Sequence, residues 1–168
     1  MHPSFLPDAE LLKQCRLTRG RSSGPGGQHR NKVETKVTYA HLPTGIEAHA
    51  GERRSAADNA RVALFRLRLA LAVSARTPVP LGDARSDLWR SRCTPDGKVS
   101  CNTSHHDFPA LIAEALDMLH ACGADTSKAA LRLMCTPSQF IKLLARHPPA
   151  LILANRWRAE RGLHTLAP

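Results

Sequence analysis

Apolar residues recur along this chain in two rhythms, and the change of rhythm organises it. From Ser55 onward, Ala57, Ala60, Leu64, Leu67 and Leu71 fall at helical spacing, with Val62, Phe65 and Leu69 flanking them. This predicts one long helix, N-capped by Ser55 with Asp58 three residues on. Arg61, Arg66 and Arg68 are expected on or beside its outer face. Thr77-Pro78-Val79-Pro80 stops it, because proline has no amide hydrogen to donate and restricts the residue before it. Ahead of the helix the period shortens. Residues 8–14 read as a short helical turn, and Cys15-Arg16-Leu17-Thr18 alternates as a strand. Val33, Val37, Thr38 and Tyr39 suit a second strand over 33–41. Pro43-Thr44-Gly45 is a turn that returns residues 46–50 as its partner.

Beyond residue 77 the pattern changes again. Pro78, Pro80, Gly82, Pro95 and Gly97 interrupt residues 77–106, which read as a partly ordered linker anchored by Leu81, Leu88, Trp89 and Val99, with a turn at Pro95-Asp96-Gly97-Lys98. Residues 107–168 read as a helical bundle. Phe108, Leu111, Ile112, Ala115, Leu116 and Leu119 form one face of a helix that Gly123 ends. A second helix covers 127–133, a third runs from Pro137 and Ser138 to Leu144, and a fourth covers 150–161 before Gly162. The middle two, with Met134-Cys135-Thr136 between them, resemble a helix-turn-helix pair, from which a DNA reader would present Ser138, Gln139 and Lys142. They lack the basic surface of a DNA reader, which favours docking to RNA or a ribosome. The expected fold class is α+β: a small antiparallel sheet with one long packed helix and a projecting glycine loop over residues 1–76, then the linker and the bundle.

The loop itself is Arg19-Gly20-Arg21-Ser22-Ser23-Gly24-Pro25-Gly26-Gly27-Gln28-His29-Arg30-Asn31-Lys32. Its glycines and proline exclude helix and central strand and suit close approach of backbone to a ligand. Arg19, Arg21, Arg30 and Lys32 make a phosphate-bearing ligand the natural candidate. The net charge of +10 agrees, and the excess sits mainly in the half that carries the loop. No long apolar run or Lys-rich amphipathic segment points to a membrane. Five cysteines, odd in number and without a Cys-x-x-Cys pair, suit reduced thiols in the cytoplasm, and the first residues read as neither a secretory signal nor a transit peptide. Cys93, Cys101, His105 and His106 match no standard zinc spacing, so no metal is assigned.

Gly26-Gly27-Gln28 followed by His29-x-Asn31-Lys32 resembles the Gly-Gly-Gln loop of class I peptide-chain release factors and their small ribosome-rescue relatives. His41-Leu42-Pro43-Thr44-Gly45-Ile46 resembles that domain's hairpin, and Glu52-Arg53-Arg54-Ser55 with Asn59 resembles the start of its long helix. The resemblance covers about residues 12–75 in the right order. It implies hydrolysis of the peptidyl-tRNA ester inside the ribosome, with Gly26, Gly27 and Gln28 as the catalytic residues. The Gln28 backbone N–H would stabilise the oxyanion while its side chain positions water, and the glycines permit a conformation that side chains would block. Arg19, Arg21, Arg30, Lys32, Arg53 and Arg54 would bind RNA. The implied partners are large-subunit rRNA and peptidyl-tRNA. No metal or organic cofactor is implied, and a monomer is the default.

The sequence departs from the family pattern at Arg30, Val33 and Ala56, where many members carry Val, Thr and Gln. None of these positions touches Gly26-Gly27-Gln28. Full release factors also carry a stop-codon-reading domain with a Pro-x-Thr or Ser-Pro-Phe type tripeptide; neither the room nor the tripeptide is found here, so codon-independent action is expected. Small codon-independent relatives often end in a Lys/Arg-rich tail, whereas this chain ends in the mostly apolar Leu163-His164-Thr165-Leu166-Ala167-Pro168. Docking is therefore expected from the helical half, or the substrate is a large subunit with peptidyl-tRNA still attached. The alternatives are a non-catalytic RNA- or ribosome-binding module and a helix-turn-helix DNA-binding regulator.

Overall fold

The computed structural model describes residues 1–21 and 34–167. The fold is α+β and divides into two compact units, Pro3–Leu71 and residues 72–168.

The first unit begins with a 3₁₀ turn at Pro3–Phe5 and the short helix α1 (Asp8–Lys13). Strands β1 (Cys15–Gly20), β2 (Lys36–His41) and β3 (Ile46–Ala50) follow, and then the long helix α2 (Ala56–Ser74). The strands form one antiparallel sheet in the order β1-β2-β3. Val37 lies opposite Arg19 on one side and Ala50 on the other; β1 is an exposed edge that contributes only half-buried Cys15, and the packed face is built by β2 and β3. Leu11 from α1, Val37, Tyr39 and Ala50 from the sheet, and Ala63, Leu64, Leu67 and Leu71 from α2 make the core. Burying a leucine as completely as Leu67 or Leu71 contributes roughly 1.5–3 kcal/mol. The β2–β3 turn needs glycine at Gly45, whose φ is +70°.

Two details of α2 differ from the sequence reading. Ala57 is exposed, and the fully buried stripe starts at Ala63. Arg68, expected at the solvent face, is only 8% exposed. Its guanidinium donates to the carbonyls of Ser4 (2.8 Å) and Leu6 (2.5 Å) and to the Asp8 carboxylate (2.7 Å), while the Ser4 hydroxyl donates to the Arg68 carbonyl at 2.9 Å. A periodicity argument counts arginine as polar and sends it outward. Here the chain ahead of α1 folds over the helix and its carbonyls need donors, which Arg68 supplies.

The second unit is built round α4 (Phe108–Ala121), buried on every side from Phe108 to Leu119. It packs against α5 (Thr126–Arg132), α6 (Pro137–Ala145) and α7 (Pro148–Ala159). Two carboxylates on α4 hold the preceding segment. Glu114 accepts from the Ser86 amide at 2.8 Å and the Ser86 hydroxyl at 2.5 Å. Asp117 accepts from the amide and hydroxyl of Thr77 and lies 2.9 Å from Arg76 Nη1. Ser86 also caps α3 (Asp87–Arg92) by accepting from the Trp89 amide at 3.0 Å. Trp89, in the stretch read as a linker, is fully buried and donates its indole N–H to the Leu133 carbonyl at 2.8 Å. Val99 is buried as well, while Leu81 is 97% exposed. Gly97 (φ +77°) sits against the α5–α6 turn, where a Cβ would lie 3.0 Å from the Thr136 amide nitrogen. Among the described residues, no helix is long and apolar enough to cross a membrane.

Candidate functional site

β1 and β2 pair with Gly20 opposite Lys36, so residues 21–35 leave and re-enter the sheet at the same end. Gly26, Gly27, Gln28, Arg30 and Lys32 lie in this span and outside the described residues. Its two anchors are well defined by the residues on either side.

The inner anchor is Asn59, fully buried in the first turns of α2. Its Nδ2 donates to the Thr35 carbonyl at 2.7 Å and to the Arg53 carbonyl at 2.9 Å, and its Oδ1 accepts from the Arg53 amide at 2.9 Å. A primary amide offers two donors and an acceptor on one short stem, and all three are used here. Aspartate would lose both donors, and leucine of similar size would remove the partner of the part-buried backbone groups of Thr35 and Arg53. α2 starts at a fixed place because the Ser55 hydroxyl accepts from the Asp58 amide at 3.2 Å. Asn59 thereby fixes the residue that precedes β2 to the loop that precedes α2.

That second loop is held from its other side by Glu52. Its carboxylate accepts from the Gly51 amide at 3.0 Å and pairs with Arg66 at 2.6 Å, and Arg66 also donates to the His49 carbonyl at 2.9 Å. The backbone N–H groups of Gly51 and Glu52, and then Arg66, hold the Glu52 carboxyl below its ordinary range. The outcome is local: Glu52 and Arg66 serve each other, and the next two residues, Arg53 and Arg54, stand exposed.

Of the predicted RNA-binding residues, Arg19 and Arg21 are exposed where β1 ends, and Asn59 brings the Arg53 backbone to Thr35 at that same end. Among the described residues no ion pair holds Arg19, Arg21, Arg53 or Arg54. Arg61, Arg66 and Arg68 in the same unit are each paired with a carboxylate. Among the described residues of this unit, the arginines without an ion pair thus flank the ends of the glycine-rich span, whereas those on α2 are paired, as are Lys13 with Glu10 and Arg16 with Glu47. Sequence reasoning left out Lys36, which the strand register sets beside Gly20. It also gave Asn59 no task, although a lone amide in an alanine- and leucine-rich helical stripe was a signal for one.

His41, at the opposite end of β2, is structural. Its Nε2 meets Gln14 Oε1 at 3.0 Å and its Nδ1 meets the Thr44 hydroxyl at 2.8 Å. Burial holds its pKa down, which suits a neutral ring that donates through Nε2 and accepts at Nδ1. In the second unit, His105, His106 and Asp107 bring potential metal-ligand atoms within 4.8 Å of one another. The Asp107 carboxylate is already paired with Arg92 at 2.6 Å, which sets a fixed positive charge where a cation would sit.

The first unit is thus an α+β domain whose glycine-rich span joins paired strand ends, with Arg19, Arg21, Arg53 and Arg54 exposed and without an ion pair among the described residues. Residues 11–83 match the family model of the RF-1 domain, and this part of the chain belongs to the class I peptide-chain release factor domain family. The chain is 33% identical over 114 residues to peptide chain release factor 1 of Xylella fastidiosa (strain 9a5c), covering 59% of this chain and 32% of the relative. It is 31% identical over 137 residues to peptide chain release factor 1 of Leptospira biflexa serovar Patoc, covering 69% of this chain and 38% of the relative. The chain therefore spans about a third of the length of the curated relatives it matches.

Proposed function

We propose that this chain hydrolyses the ester joining peptide to tRNA on stalled ribosomes or their large subunits, without reading a codon. The observation that carries the reading is an intact Gly26-Gly27-Gln28, in a domain of the release factor family, between strand ends fixed by strand pairing and by Asn59. In this reaction water attacks the ester carbonyl, negative charge develops on its oxygen, and the tRNA 3′ hydroxyl leaves with a proton. The Gln28 backbone N–H supplies a preorganised donor for that oxygen, an effect worth several kcal/mol where bulk water is excluded. The Gln28 side chain orients the attacking water, and Gly26 and Gly27 let the backbone approach where a Cβ would obstruct it. The peptidyl transferase centre supplies substrate and proximity, and the chain completes a site made mostly of rRNA.

Arg19, Arg21, Arg30, Lys32, Arg53 and Arg54 hold the span against rRNA and tRNA phosphates. What supports this role for the described four is their freedom from ion pairs at one end of the sheet. Residues 1–76 act as the catalytic domain, 77–106 connect, and 107–168 dock on the ribosome. The protein works as a cytoplasmic monomer. Codon independence is our reading, and a comparison of two ribosome complexes decides it.

The test is release of labelled peptide from two ribosome complexes, one stalled at the end of a truncated message and one with a stop codon in the decoding site. Release from the first at least equal to the second supports the proposal. Release that requires the stop codon overturns its codon-independent part.

A further inference from the structure

The helical unit carries an open cleft of about 570 Å³, bounded chiefly by Val73, Arg76, His120, Ile152, Arg156 and Trp157. Its floor is aromatic. Trp157 is 9% exposed, the His120 ring meets it edge-on at 5.1 Å between centroids, and the Arg76 guanidinium lies 5.7 Å from the indole centroid. Arg76 is held from behind by Asp117, and its buried Nε has no hydrogen-bond partner. The rim differs in character. Ile152 is 69% exposed, and Arg156, one helical turn further along α7, keeps 68% of its side chain in solvent with only a 3.9 Å approach to Glu160. No carboxylate is among the cleft's described lining residues.

Apolar and aromatic surface beside the exposed Arg156 guanidinium, which Glu160 approaches only to 3.9 Å, suits a ligand that is flat and apolar at one end and anionic at the other. A nucleotide has that form, provided its base is not already stacked in a duplex. Arginine also grips phosphate in a planar fork. We propose that this cleft holds an unstacked nucleotide of single-stranded RNA, its base against Ile152 and the His120–Trp157 pair and its phosphate on Arg156. The assignment rests on the reading of the chain as an RNA-directed protein. It deepens that reading by giving the docking role of the helical half to one surface of α7.

The test uses the full chain and a short labelled oligouridine, with affinity followed by fluorescence anisotropy across a salt series. Arg156→Glu is expected to weaken binding about ten-fold or more, and Arg156→Gln to weaken it less while lowering the salt slope by about 1. Ile152→Ser is expected to weaken binding several-fold with the slope unchanged, since it removes only apolar contact. Lys128→Glu makes the same charge change elsewhere in the unit and is expected to cost less than Arg156→Glu. Oligouridine carrying 4-thiouridine is expected to crosslink to residues 149–157. Equal losses from Arg156→Glu and Lys128→Glu, crosslinks confined to residues 15–54, or equal competition by duplex RNA would each overturn the assignment. Gln28→Ala separates the two claims, because it should keep oligouridine binding whatever it does to peptide release. Release by the parent together with parent-like RNA binding by Arg156→Glu sinks the cleft assignment alone. Cleft-dependent RNA binding without release by the parent sinks the hydrolase reading alone.

Discussion

The Asn59 side chain and the Thr35 carbonyl meet at 2.7 Å, and through this bond the first turns of the long helix hold the point where the glycine-rich span returns to the sheet. The same amide fixes Arg53 by its N–H and its carbonyl. One buried side chain thus links the span that carries Gln28 to the loop that carries Arg53 and Arg54.

Asn59→Ala should therefore cost both stability and activity. It removes three part-buried hydrogen bonds to the backbone of Thr35 and Arg53, a loss of about 1–2 kcal/mol. If the span must be held for catalysis, peptide release should fall at least about ten-fold even where the variant is fully folded. Urea melts and release assays on the same preparation check both parts. Release at the parental rate from a destabilised variant would confine Asn59 to folding.

Arg68→Met keeps most of the volume and removes the donors to Ser4, Leu6 and Asp8. Loss of these buried and part-buried charge-assisted hydrogen bonds predicts a destabilisation of about 2–3 kcal/mol, read as a lower urea midpoint with unchanged m-value. A surface arginine, as the periodicity alone suggests, would give a change within about 0.5 kcal/mol.

Trp89→Ala tests whether the stretch between the two sequence-evident regions is part of a folded core. Trp89 is fully buried and bonded to Leu133, so truncation should cost about 3–5 kcal/mol. Calorimetry should show a lowered transition. An unshifted transition would contradict the packing described for α3.

Burial holds the His41 imidazole below its ordinary value near 6.5. The unfolded chain then takes up the proton before the folded one, so this contribution is fully present above about pH 6.5 and declines as pH falls toward the folded value. His2 and His147 are shifted the same way by burial, while burial raises the Glu114 carboxyl and works in the opposite sense in its own range. The urea midpoint should fall between about pH 7 and pH 5, with a shallower decline in His41→Gln. An identical decline in the variant would remove His41 from the account.

Much of this architecture was legible in the sequence because it rests on short-range regularities. Ser55 and Asp58 marked the start of α2, Pro43-Thr44-Gly45 marked the β2–β3 turn, and Gly123 and Gly162 marked helix ends; each acts within a few residues. What escaped depends on partners far along the chain. Arg68 is buried because carbonyls more than 60 residues earlier need donors. α4 carries Glu114 and Asp117 inward because Ser86 and Thr77 meet them, and no helical period foretells that. The 77–106 stretch looked like a linker because prolines and glycines break its pattern, yet Trp89, Val99 and Gly97 each fit a specific surface. At the candidate site, the sequence offered Gly26-Gly27-Gln28 and its basic residues as expectations, five of them outside the described residues, and nothing in it pointed to the partners, Thr35 and Arg53, whose bonds to Asn59 fix the anchors.

The central claim is chemical, and one comparison addresses it: release of labelled peptide from ribosomes stalled without a stop codon, by the parent and by Gln28→Ala, with ribosome binding measured alongside. The account predicts release by the parent, little or none by the variant, and similar binding by both. Tight binding without release by the parent, on whole ribosomes and on split large subunits alike, would contradict it.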